Sequence, residues 1–571
     1  MGSRVRIGAA MVGVMLLVLA WGSHGSVSAQ SGSRVVLSGT VSSREDGTME
    51  GVVVSARREG SNITVSVVSD ARGRYVFPAS HLTVGPYDLA IRATGFELAA
   101  PARATVNATR QTTLDLALRT TQNVLPQLTS LEIAMSLPGP PEQLEKLVYQ
   151  RLSCAYCHSL NRLLTSRHSA DQWVAVINRM AAYYPDGTAS SDDGRGSSRQ
   201  WENDMFVKSP RWGLGIGNNQ ELRPGVEKSE LGRYLATINL SGGRKELPYE
   251  LKRLPRPSGK ATRVIITQYD MPRKGAVSHE MELDSRGTPW YTDEAEPYVG
   301  TLDPSTGEFT EYPVPSVGTQ KVLSARDLVF DPDDNPWFPL RTLTGDVLVK
   351  FDKATSQITP VSNFRTSQFL TTGDGNIWNA QGSGFARINP RTMTVEARFD
   401  WTQAPNKPAD ACCSYQGVVD AKGNGYMGAN NYVIVVDGKT GATKFVPIPT
   451  KWSLPRRGRM DTQGRYWFAE YFGDQIARFD SRTEQVREWP VRKYSTPYTV
   501  SVPDRRGRVY APSNMSERVI RLDPKTGEVV EYLMPTQFDS KKLAVHPAKN
   551  RTEIWMANTR NARLVRIEPL D

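Results

Sequence analysis

Cysteine and histidine are scarce in this sequence, with four cysteines and six histidines in 571 residues. Four cysteines are too few to form the disulfide framework of so long a chain, so each pair needs a local explanation. No apolar run after residue 29 is long enough to span a bilayer. The net charge of +11 is spread along the chain and forms no basic block. These features disfavour a disulfide-rich scaffold, a membrane-spanning protein and a partner made of nucleic acid.

The first residues have the pattern of a secretory signal. Arg4 and Arg6 form a basic start, residues 7–21 are apolar, and Val27-Ser28-Ala29 offers small residues for cleavage. An uncleaved membrane anchor is the alternative, and the shortness of the apolar run disfavours it. We expect a signal peptide over residues 1–29, no membrane span after its cleavage, and a periplasmic or secreted mature protein.

Residues 34–120 alternate apolar and polar side chains in short runs between turn residues such as Asp46-Gly47 and Gly85-Pro86. This pattern predicts a small β-sandwich. The order GTV…DG…GVVVSA…SDARGRYVFP…GPYDLAIRATGFE also resembles the carboxypeptidase regulatory-like domain, a transthyretin-like sandwich. The resemblance implies a binding or spacer module. Its one histidine, His81, is predicted to lie in a surface loop.

Residues 138–242 have a helical pattern instead. It predicts helices over 142–148, 170–182 and 227–238, with an irregular insertion at 185–224. A basic linker at 244–263 follows. We therefore expect a small all-α domain between two β domains.

The helical segment contains Cys154-Ala155-Tyr156-Cys157-His158, which fits the C-x-x-C-H attachment pattern of c-type haem. Two thiols at this spacing can each bond one vinyl group of the same porphyrin, and the adjacent histidine can reach the iron. The alternatives are a redox dithiol and half of a zinc site. No second cysteine pair lies at zinc-finger spacing, so we predict one covalent haem c on Cys154 and Cys157 with His158 as an iron ligand.

The sequences LVYQRLSCAYCHSLNRL, DQWVAVINRM and SELGRYLATI together resemble a subgroup of monohaem and dihaem bacterial cytochrome c domains. In that subgroup a tryptophan-containing helix ending in Arg-Met precedes the final helix. The resemblance implies that Met180 is the sixth iron ligand, and a thioether ligand raises the reduction potential. Met205 and His168 are alternatives, and ordinary helix packing is the other reading of Met180.

The chain from 263 to 571 repeats a turn followed by an aromatic residue, and these aromatic residues are 41 to 48 positions apart. The seven aromatic residues are Trp290, Trp337, Trp378, Tyr426, Trp467, Tyr510 and Trp555. Each repeat holds about four strands, the content of one propeller blade. The last repeat lacks its final strand, and residues 264–272 have the missing pattern. We therefore predict a seven-bladed β-propeller closed by that N-terminal strand, and a mainly β protein of three domains.

In a propeller the first strand of each blade lines the axial channel. One residue per blade, five positions before the turn, is predicted to lie there: His279, Arg326, Gln368, Tyr415, Arg456, Tyr498 and Lys541. We call these seven residues the channel ring. A polar, aromatic and basic ring favours an anionic or hydroxyl-rich small molecule or glycan as ligand. A solvated channel without a ligand is the alternative.

The repeats also resemble the virginiamycin B (streptogramin) lyase family of propellers over the whole C-terminal domain. That resemblance implies a histidine and a glutamate near the axis, a divalent metal and lyase chemistry. His279 and Glu280 are the one candidate acid/base pair here, because His546 is predicted to lie on a turn away from the channel. Asp331, Asp333 and Asp334 could suggest calcium, but a polar blade turn explains them more simply.

Cys412 and Cys413 are adjacent, and adjacent cysteines can form a disulfide in an oxidising compartment. Such a bond resembles the vicinal disulfide of pyrroloquinoline-quinone alcohol dehydrogenases. A structural staple on the channel rim is the simpler interpretation.

The sequence thus favours an exported c-type cytochrome fused to a ligand-binding propeller, acting in electron transfer or as an oxidoreductase subunit with a redox protein partner. The alternatives are a carbohydrate- or partner-binding propeller with auxiliary haem, and a carbon–oxygen lyase.

Overall fold

The computed structural model describes residues 34–140, 159–182, 228–342, 345–412, 414–548 and 551–571. These residues form a mainly β structure with four short α-helices. Among them, no helix is long and apolar enough to cross a membrane.

The N-terminal sandwich contains ten strands in two sheets, as its alternating pattern predicts. In one sheet the order is β2-β1-β10-β7, with β5 and β9 also paired to β1. In the other the order is β4-β3-β6-β8. The strand bounds are Val35–Ser43 (β1), Gly47–Thr48 (β2), Val53–Arg58 (β3), Ile63–Val68 (β4), Arg74–Pro78 (β5), Gly85–Arg92 (β6), Phe96–Leu98 (β7), Ala102–Val106 (β8), Thr112–Thr113 (β9) and Leu116–Thr120 (β10).

Seven sheets follow one another around the C-terminal domain, one for each predicted blade. Blades one to three comprise Ser278–Leu283 (β12), Pro289–Asp293 (β13), Tyr298–Leu302 (β14), Phe309–Pro313 (β15), Val322–Ala325 (β16), Val329–Phe330 (β17), Pro336–Thr342 (β18), Gly345–Phe351 (β19), Ile358–Thr366 (β20), Leu370–Thr372 (β21), Ile377–Gln381 (β22), Gly384–Asn389 (β23) and Thr394–Asp400 (β24). Blades four and five comprise Gly417–Val419 (β25), Gly425–Ala429 (β26), Tyr432–Val436 (β27), Thr443–Pro447 (β28), Pro455–Met460 (β29), Arg465–Glu470 (β30), Gln475–Asp480 (β31) and Gln485–Pro490 (β32).

Blade six has only three strands, Val509–Ser513 (β33), Arg518–Asp523 (β34) and Glu528–Leu533 (β35). Its innermost segment, around Tyr498, forms no regular strand but is bonded to β33 through a bridge between Pro497 and Ser513 and a hydrogen bond from Ser501 to Tyr510. Blade seven comprises Leu543–Ala548 (β36), Arg551–Asn558 (β37) and Arg563–Pro569 (β38), completed by Val264–Asp270 (β11). Because β11 pairs with β38 along its whole length, the N-terminal strand closes the propeller as predicted.

The recurring aromatic residue is buried in every blade. In six blades its N–H or O–H donates to the carboxylate of the turn aspartate at 2.8–3.2 Å, as Trp337 does to Asp331. Asp331 also accepts from the backbone N–H of Asp333, and Asp334 accepts from Ser285. The three aspartates that could suggest calcium therefore serve the blade turn, and no group of three His, Cys, Asp or Glu within the described ranges is placed to hold a metal ion.

The sandwich and the propeller share one continuous sheet, which the sequence did not predict. The outer edge of blade seven, β11, pairs antiparallel with β4 of the sandwich, for example Ile266 with Ser66. The resulting sheet has eight strands. The pairing covers an edge that would otherwise expose unpaired backbone groups.

His81 lies in a turn between β5 and β6, as predicted, but not on the surface, because its side chain is only 2% exposed and lies in the contact between these two domains. Its Nε2 is 2.7 Å from Glu568 Oε2 on β38. His546 lies within β36 and not on a turn, and its imidazole approaches Gly287 in the turn of blade one.

The described helices of the middle segment are Ser130–Ser136 (α1), Asn161–Thr165 (α2), Ala170–Ala182 (α3) and Lys228–Ile238 (α4). The sequence predicted α3 and α4 but not α1, which begins with a capping box between Thr129 and Glu132. The predicted helix over 142–148 lies outside the described residues. The segment 244–263 packs back on the helices, where the backbone N–H of Leu254 donates to Glu132.

The helical segment is anchored on the propeller through Met515, in the loop between β33 and β34. Met515 belongs to the same buried cluster as Leu131, Leu164, Trp173 and Leu235. The backbone N–H of Leu131 also donates to the carbonyl of Met515 at 2.7 Å.

Candidate functional site

The seven residues of the channel ring lie at or just before the innermost segment of their blades, at one end of the channel. We call this the ring end. All seven are at most 5% exposed. The structure places them there as buried, interacting side chains and not as an open solvated wall.

Aromatic side chains and a guanidinium form one side of the ring. The hydroxyls of Tyr415 and Tyr498 are 2.6 Å apart. The guanidinium of Arg456 lies over the aromatic rings of Tyr415, Tyr471 and Tyr498, 4.4, 5.1 and 5.9 Å from their centroids. Cation–π contact of this kind holds the arginine in one orientation.

Ion pairs form the other side of the ring. Arg326 Nη2 lies 2.6 Å from Glu294 Oε1, outside hydrogen-bond geometry, and Arg326 donates to Gln368. Lys541 Nζ lies 3.0 Å from Asp539. The sequence predicted a cationic ring, but Arg326 and Lys541 are each neutralised by a carboxylate that is not a ring residue, Glu294 and Asp539 respectively.

His279 lies between two carboxylates. Its Nδ1 is 2.7 Å from Glu280 Oε1, and its Nε2 is 3.5 Å from Glu294 Oε2. Burial disfavours the imidazolium, but the charges of Glu294 and Glu280 outweigh it and raise the pKa of His279 above its ordinary value. His279 is therefore suited to hold a proton.

Glu280 is held as a carboxylate. Burial alone would raise its pKa, but the charge of Arg457 and the bond to His279 keep that pKa far below the usual range. Two hydrogen bonds from Arg457, at 2.5 and 2.6 Å, occupy both oxygens. A carboxylate with so low a pKa is a weak base, so this geometry gives Glu280 the role of orienting His279.

A second layer of side chains closes the channel beneath the ring. It is formed by the next residue of each blade, namely Glu280, Asp327, Phe369, Gln416, Arg457, Thr499 and Lys542. Lys542 Nζ is 2.8 Å from Asp327 Oδ1, and Arg459 Nη2 is 2.7 Å from Glu282 still deeper. The first pair joins blades seven and two and the second joins blades five and one, so bonded charges cross the channel below the ring.

The second layer could have been found from the sequence by shifting the register by one position. Neighbouring side chains on a regular strand point to opposite faces, so a register of one residue per strand leaves this layer out. The pairing register shifts between Ser278 and Glu280 and between Pro455 and Gly458, which is the signature of a bulge. A bulge redirects side chains and lets two successive residues serve the channel.

Buried polar groups without hydrogen-bond partners among the described residues occur at the ring end of blades four to six, as they do on blades one and two. On blades four to six they include both amide atoms of Asn430 and the hydroxyl of Ser495, whereas Glu470 contacts Ser453 and Glu488. Burial and the neighbouring Glu488 raise the pKa of Glu470 well above its usual range, so its carboxyl is a potential donor. A ligand with several hydroxyls matches such a set of donors and acceptors.

The backbone is also strained at this end. Leu454 and Thr496 have φ angles of 47° and 49°, and Trp452 has 57°. Such angles are unfavourable for bulky or β-branched residues. Strain and unsatisfied polar groups therefore coincide on blades four to six, which makes this half of the ring end the best candidate for ligand contact.

The remaining predicted site residues lie partly outside the described ranges. Cys154, Cys157, His158, Met205 and Cys413 are outside them, as is the side chain of Met180 on α3. Cys412 is disulfide-bonded and lies three residues before Tyr415 of the ring. The aromatic ring of His168 packs edge-on against Trp173, with centroids 5.2 Å apart.

Several solved structures are similar to the chain. A streptogramin B lyase shares 18% identity with a TM-score of 0.44, covering 54% of this chain and 99% of its own. A catalytically inactive virginiamycin B lyase from Staphylococcus aureus with quinupristin shares 16% identity with a TM-score of 0.44, covering 53% and 99%. The extracellular domain of a putative one component system from B. thetaiotaomicron shares 13% identity with a TM-score of 0.39, covering 51% and 38%.

No curated protein matches the chain. Residues 36–119 match the family model of the carboxypeptidase regulatory-like domain. The chain therefore carries a carboxypeptidase regulatory-like domain at its N-terminal end, joined through a shared sheet to a β-propeller.

Proposed function

We propose that this protein is an exported c-type cytochrome in which a ligand bound at the ring end of the propeller exchanges electrons with a haem in the helical segment. The observation that carries the proposal is the contact between α1 and Met515. It brings the segment that follows the C-x-x-C-H motif to the same end of the propeller as the channel ring.

Two hydrogen bonds link the residues after the motif to that end of the propeller. Ser159, the residue after His158, is buried, and the backbone N–H of Leu160 donates to Ser130 Oγ at 3.2 Å. The next residue of α1, Leu131, bonds to Met515 of the propeller. On the propeller, Asn514 Oδ1 lies 3.5 Å from the backbone nitrogen of Ser540, the neighbour of Lys541 in the ring.

The chemistry of the available groups fits a haem. Cys154 and Cys157 would hold it through two thioether bonds and His158 would ligate the iron, with Met180 as the first choice for the sixth ligand. The described cluster of Leu160, Leu164, Trp173, Leu231 and Leu235 offers apolar packing beside the motif. A covalently bound haem supplies one-electron transfer.

Export is part of the proposal. Residues 1–29 have the pattern of a signal peptide, and Cys412 is disulfide-bonded. Disulfides persist in oxidising compartments, so the bond supports a periplasmic or extracellular location. The electron acceptor would be a second redox protein in the same compartment.

The ligand we propose is a small molecule or glycan rich in hydroxyl groups. Asn430, Ser453 and the carboxyl of Glu470 offer hydrogen-bonding groups, and Tyr415, Tyr471 and Tyr498 offer aromatic faces. Aromatic faces and directed polar groups are the usual components of such a site.

The first test is an absorption spectrum of the mature protein made in cells with c-haem maturation. We expect sharp reduced bands and haem that stays attached on denaturation. The Cys154→Ala/Cys157→Ala variant should lose the attached haem, and Met180→Ala should lose the weak far-red band of the oxidised protein. Mature protein without covalent haem would refute the proposal.

A binding protein without redox chemistry is the second candidate, and the filled channel favours it. Bonded pairs such as Glu280–Arg457 leave little room for a substrate to react in the channel interior. Ligand binding without any change of the haem spectrum would support this candidate. For the lyase alternative, His279 is the one candidate acid. An unsaturated product formed without any redox change would support that alternative.

A further inference from the structure

The third strand of most blades carries a cation next to the buried aromatic residue. Lys350 in blade two, Arg387 in blade three, Arg521 in blade six and Arg566 in blade seven hold this position. Each has a carboxylate close by: Asp331 at 3.2 Å, Glu396 at 3.3 Å, Glu528 at 3.0 Å and Glu568 at 3.3 Å, respectively. A neutralised cation over an aromatic residue is thus a repeated feature of the propeller.

Blade five departs from this rule. Its cation is Arg478, and the residue directly opposite on the outer strand is a second arginine, Arg487. Within the described part of the chain, no carboxylate lies within 4.0 Å of either guanidinium. Like charges directly opposite each other destabilise a sheet. A third arginine, Arg465, lies nearby but is paired with Asp461 at 2.7 Å.

The two arginines lie on a pair of stacked indoles. Trp467 and Trp489 stack with centroids 5.6 Å apart. Arg478 is 5.6 and 5.7 Å from these two centroids, and Arg487 is 4.7 Å from that of Trp489. This pair of indoles fixes the orientation of both guanidiniums at the outer part of the blade, away from the channel.

Unused donors accompany the two arginines. Arg478 Nε and the indole Nε1 of Trp489 are buried and have no hydrogen-bond partner among the described residues. Burial and the charges of Arg465 and Arg487 lower the pKa of Arg478, although the charges of Asp480 and Asp461 partly oppose them. Blade five therefore places two guanidiniums and an indole N–H together, with its turn aspartate Asp461 already bonded to Arg465 and Trp467.

We propose that Arg478 and Arg487 form an oxyanion-binding site on blade five. Its ligand is a phosphate, sulfate or carboxylate group. The fork of a guanidinium matches the oxygens of these groups, and a bound oxyanion would take the place of the carboxylate found in the other blades. This site is separate from the channel and does not depend on the function proposed for it.

The test is calorimetric titration of the mature full-length protein with inorganic phosphate, sulfate and acetate at constant ionic strength. We expect one anion per protein. The Arg487→Glu variant, which supplies the carboxylate that Glu396 supplies in blade three, should bind at least about tenfold more weakly. It should also melt at a higher temperature than the unsubstituted protein without anion, because the like-charge contact is gone.

The matched control is Arg482→Glu, which changes the net charge equally at an exposed turn of the same blade and should bind normally. Binding of phosphate and sulfate but not acetate would identify a tetrahedral oxyanion, whereas binding of acetate would identify a carboxylate. Equal binding by the unsubstituted protein and Arg487→Glu would overturn the proposal. So would no binding of any of the three anions.

Discussion

Glu280 on blade one and Arg457 on blade five are joined across the channel by two hydrogen bonds, although 177 residues separate them in the sequence. Both side chains are 1% exposed. The same carboxylate also contacts His279 of the channel ring. One ion pair therefore ties two opposite blades together and orients the candidate acid above it.

Removing one charge of this pair should be costly. We expect Glu280→Gln to lower the free energy of unfolding by about 3 kcal/mol, because Arg457 stays buried without its counter-charge. The double variant Glu280→Gln/Arg457→Met should recover most of the loss. Urea unfolding followed by tryptophan fluorescence measures both. Exposed Glu308→Gln is the control, and an unchanged Glu280→Gln protein would show that the pair does not stabilise the propeller.

Stability should depend on pH through His279. Its pKa is raised in the folded protein, so its contribution is complete below the ordinary value of about 6.5 and is lost as pH rises through the folded value. Glu280 has the opposite sign: its contribution is present above about pH 4.3 and is lost as pH falls through the depressed folded value.

The measurement is the melting temperature from about pH 6 to about pH 9. We expect the melting temperature to fall toward alkaline pH, and His279→Gln to flatten that fall. His546→Gln is the control, because this histidine packs against the turn of blade one. A His279→Gln profile parallel to that of the unsubstituted protein would contradict the role of His279.

We expect the carboxylate of Glu568 to stabilise the contact between the sandwich and the propeller. This carboxylate contacts His81 at 2.7 Å, Arg551 at 2.8 Å and Arg566 at 3.3 Å. We expect Glu568→Gln to increase hydrogen exchange in β4 and β11 and to cost about 3 kcal/mol, since the cations lose their buried partner.

The exposed pair of Glu97 with Arg119 provides the control for that experiment. Glu97→Gln should cost at most about 1 kcal/mol and leave exchange at the shared sheet unchanged. Equal exchange in the two variants would mean that strand pairing alone holds the domains together.

Gly458 should not tolerate a side chain. An added Cβ would lie 2.0 Å from the carbonyl oxygen of Trp467, so the inner strand of blade five would have to shift. We expect Gly458→Ala to destabilise the propeller by about 3 kcal/mol, a value typical of overpacking. Gly275→Ala, where an added Cβ meets nothing within 4 Å, should be nearly neutral by thermal denaturation.

Much of the fold could be predicted because it repeats. The aromatic residue recurs at a regular interval in all seven blades, and in six of them it forms the same local hydrogen bond with a turn aspartate. The missing last strand and the pattern at Val264–Asp270 were enough to predict closure, since an incomplete blade needs a fourth strand. Repetition also placed the seven ring residues at one end of the channel.

Other features depend on contacts between distant parts of the chain. The pairing of β4 with β11 is a contact between two folded domains. The alternation of apolar and polar residues along a strand does not specify which other strand it pairs with. His81 was assigned to the surface for the same reason. The carboxylates Glu282, Glu294 and Asp327 lie outside the register of one residue per blade. Asp327 directly follows Arg326 of the ring and Glu294 directly follows β13, so that register does not select them.

The sequence by itself determined the number of blades, the way the propeller closes and the N-terminal sandwich, because all of these follow from local periodicity and turns. Only the tertiary structure decided that the ring is neutralised and buried, that the sandwich extends blade seven, and that the helical segment contacts the ring end. These depend on charge pairing and edge pairing across more than a hundred residues, which no local pattern encodes.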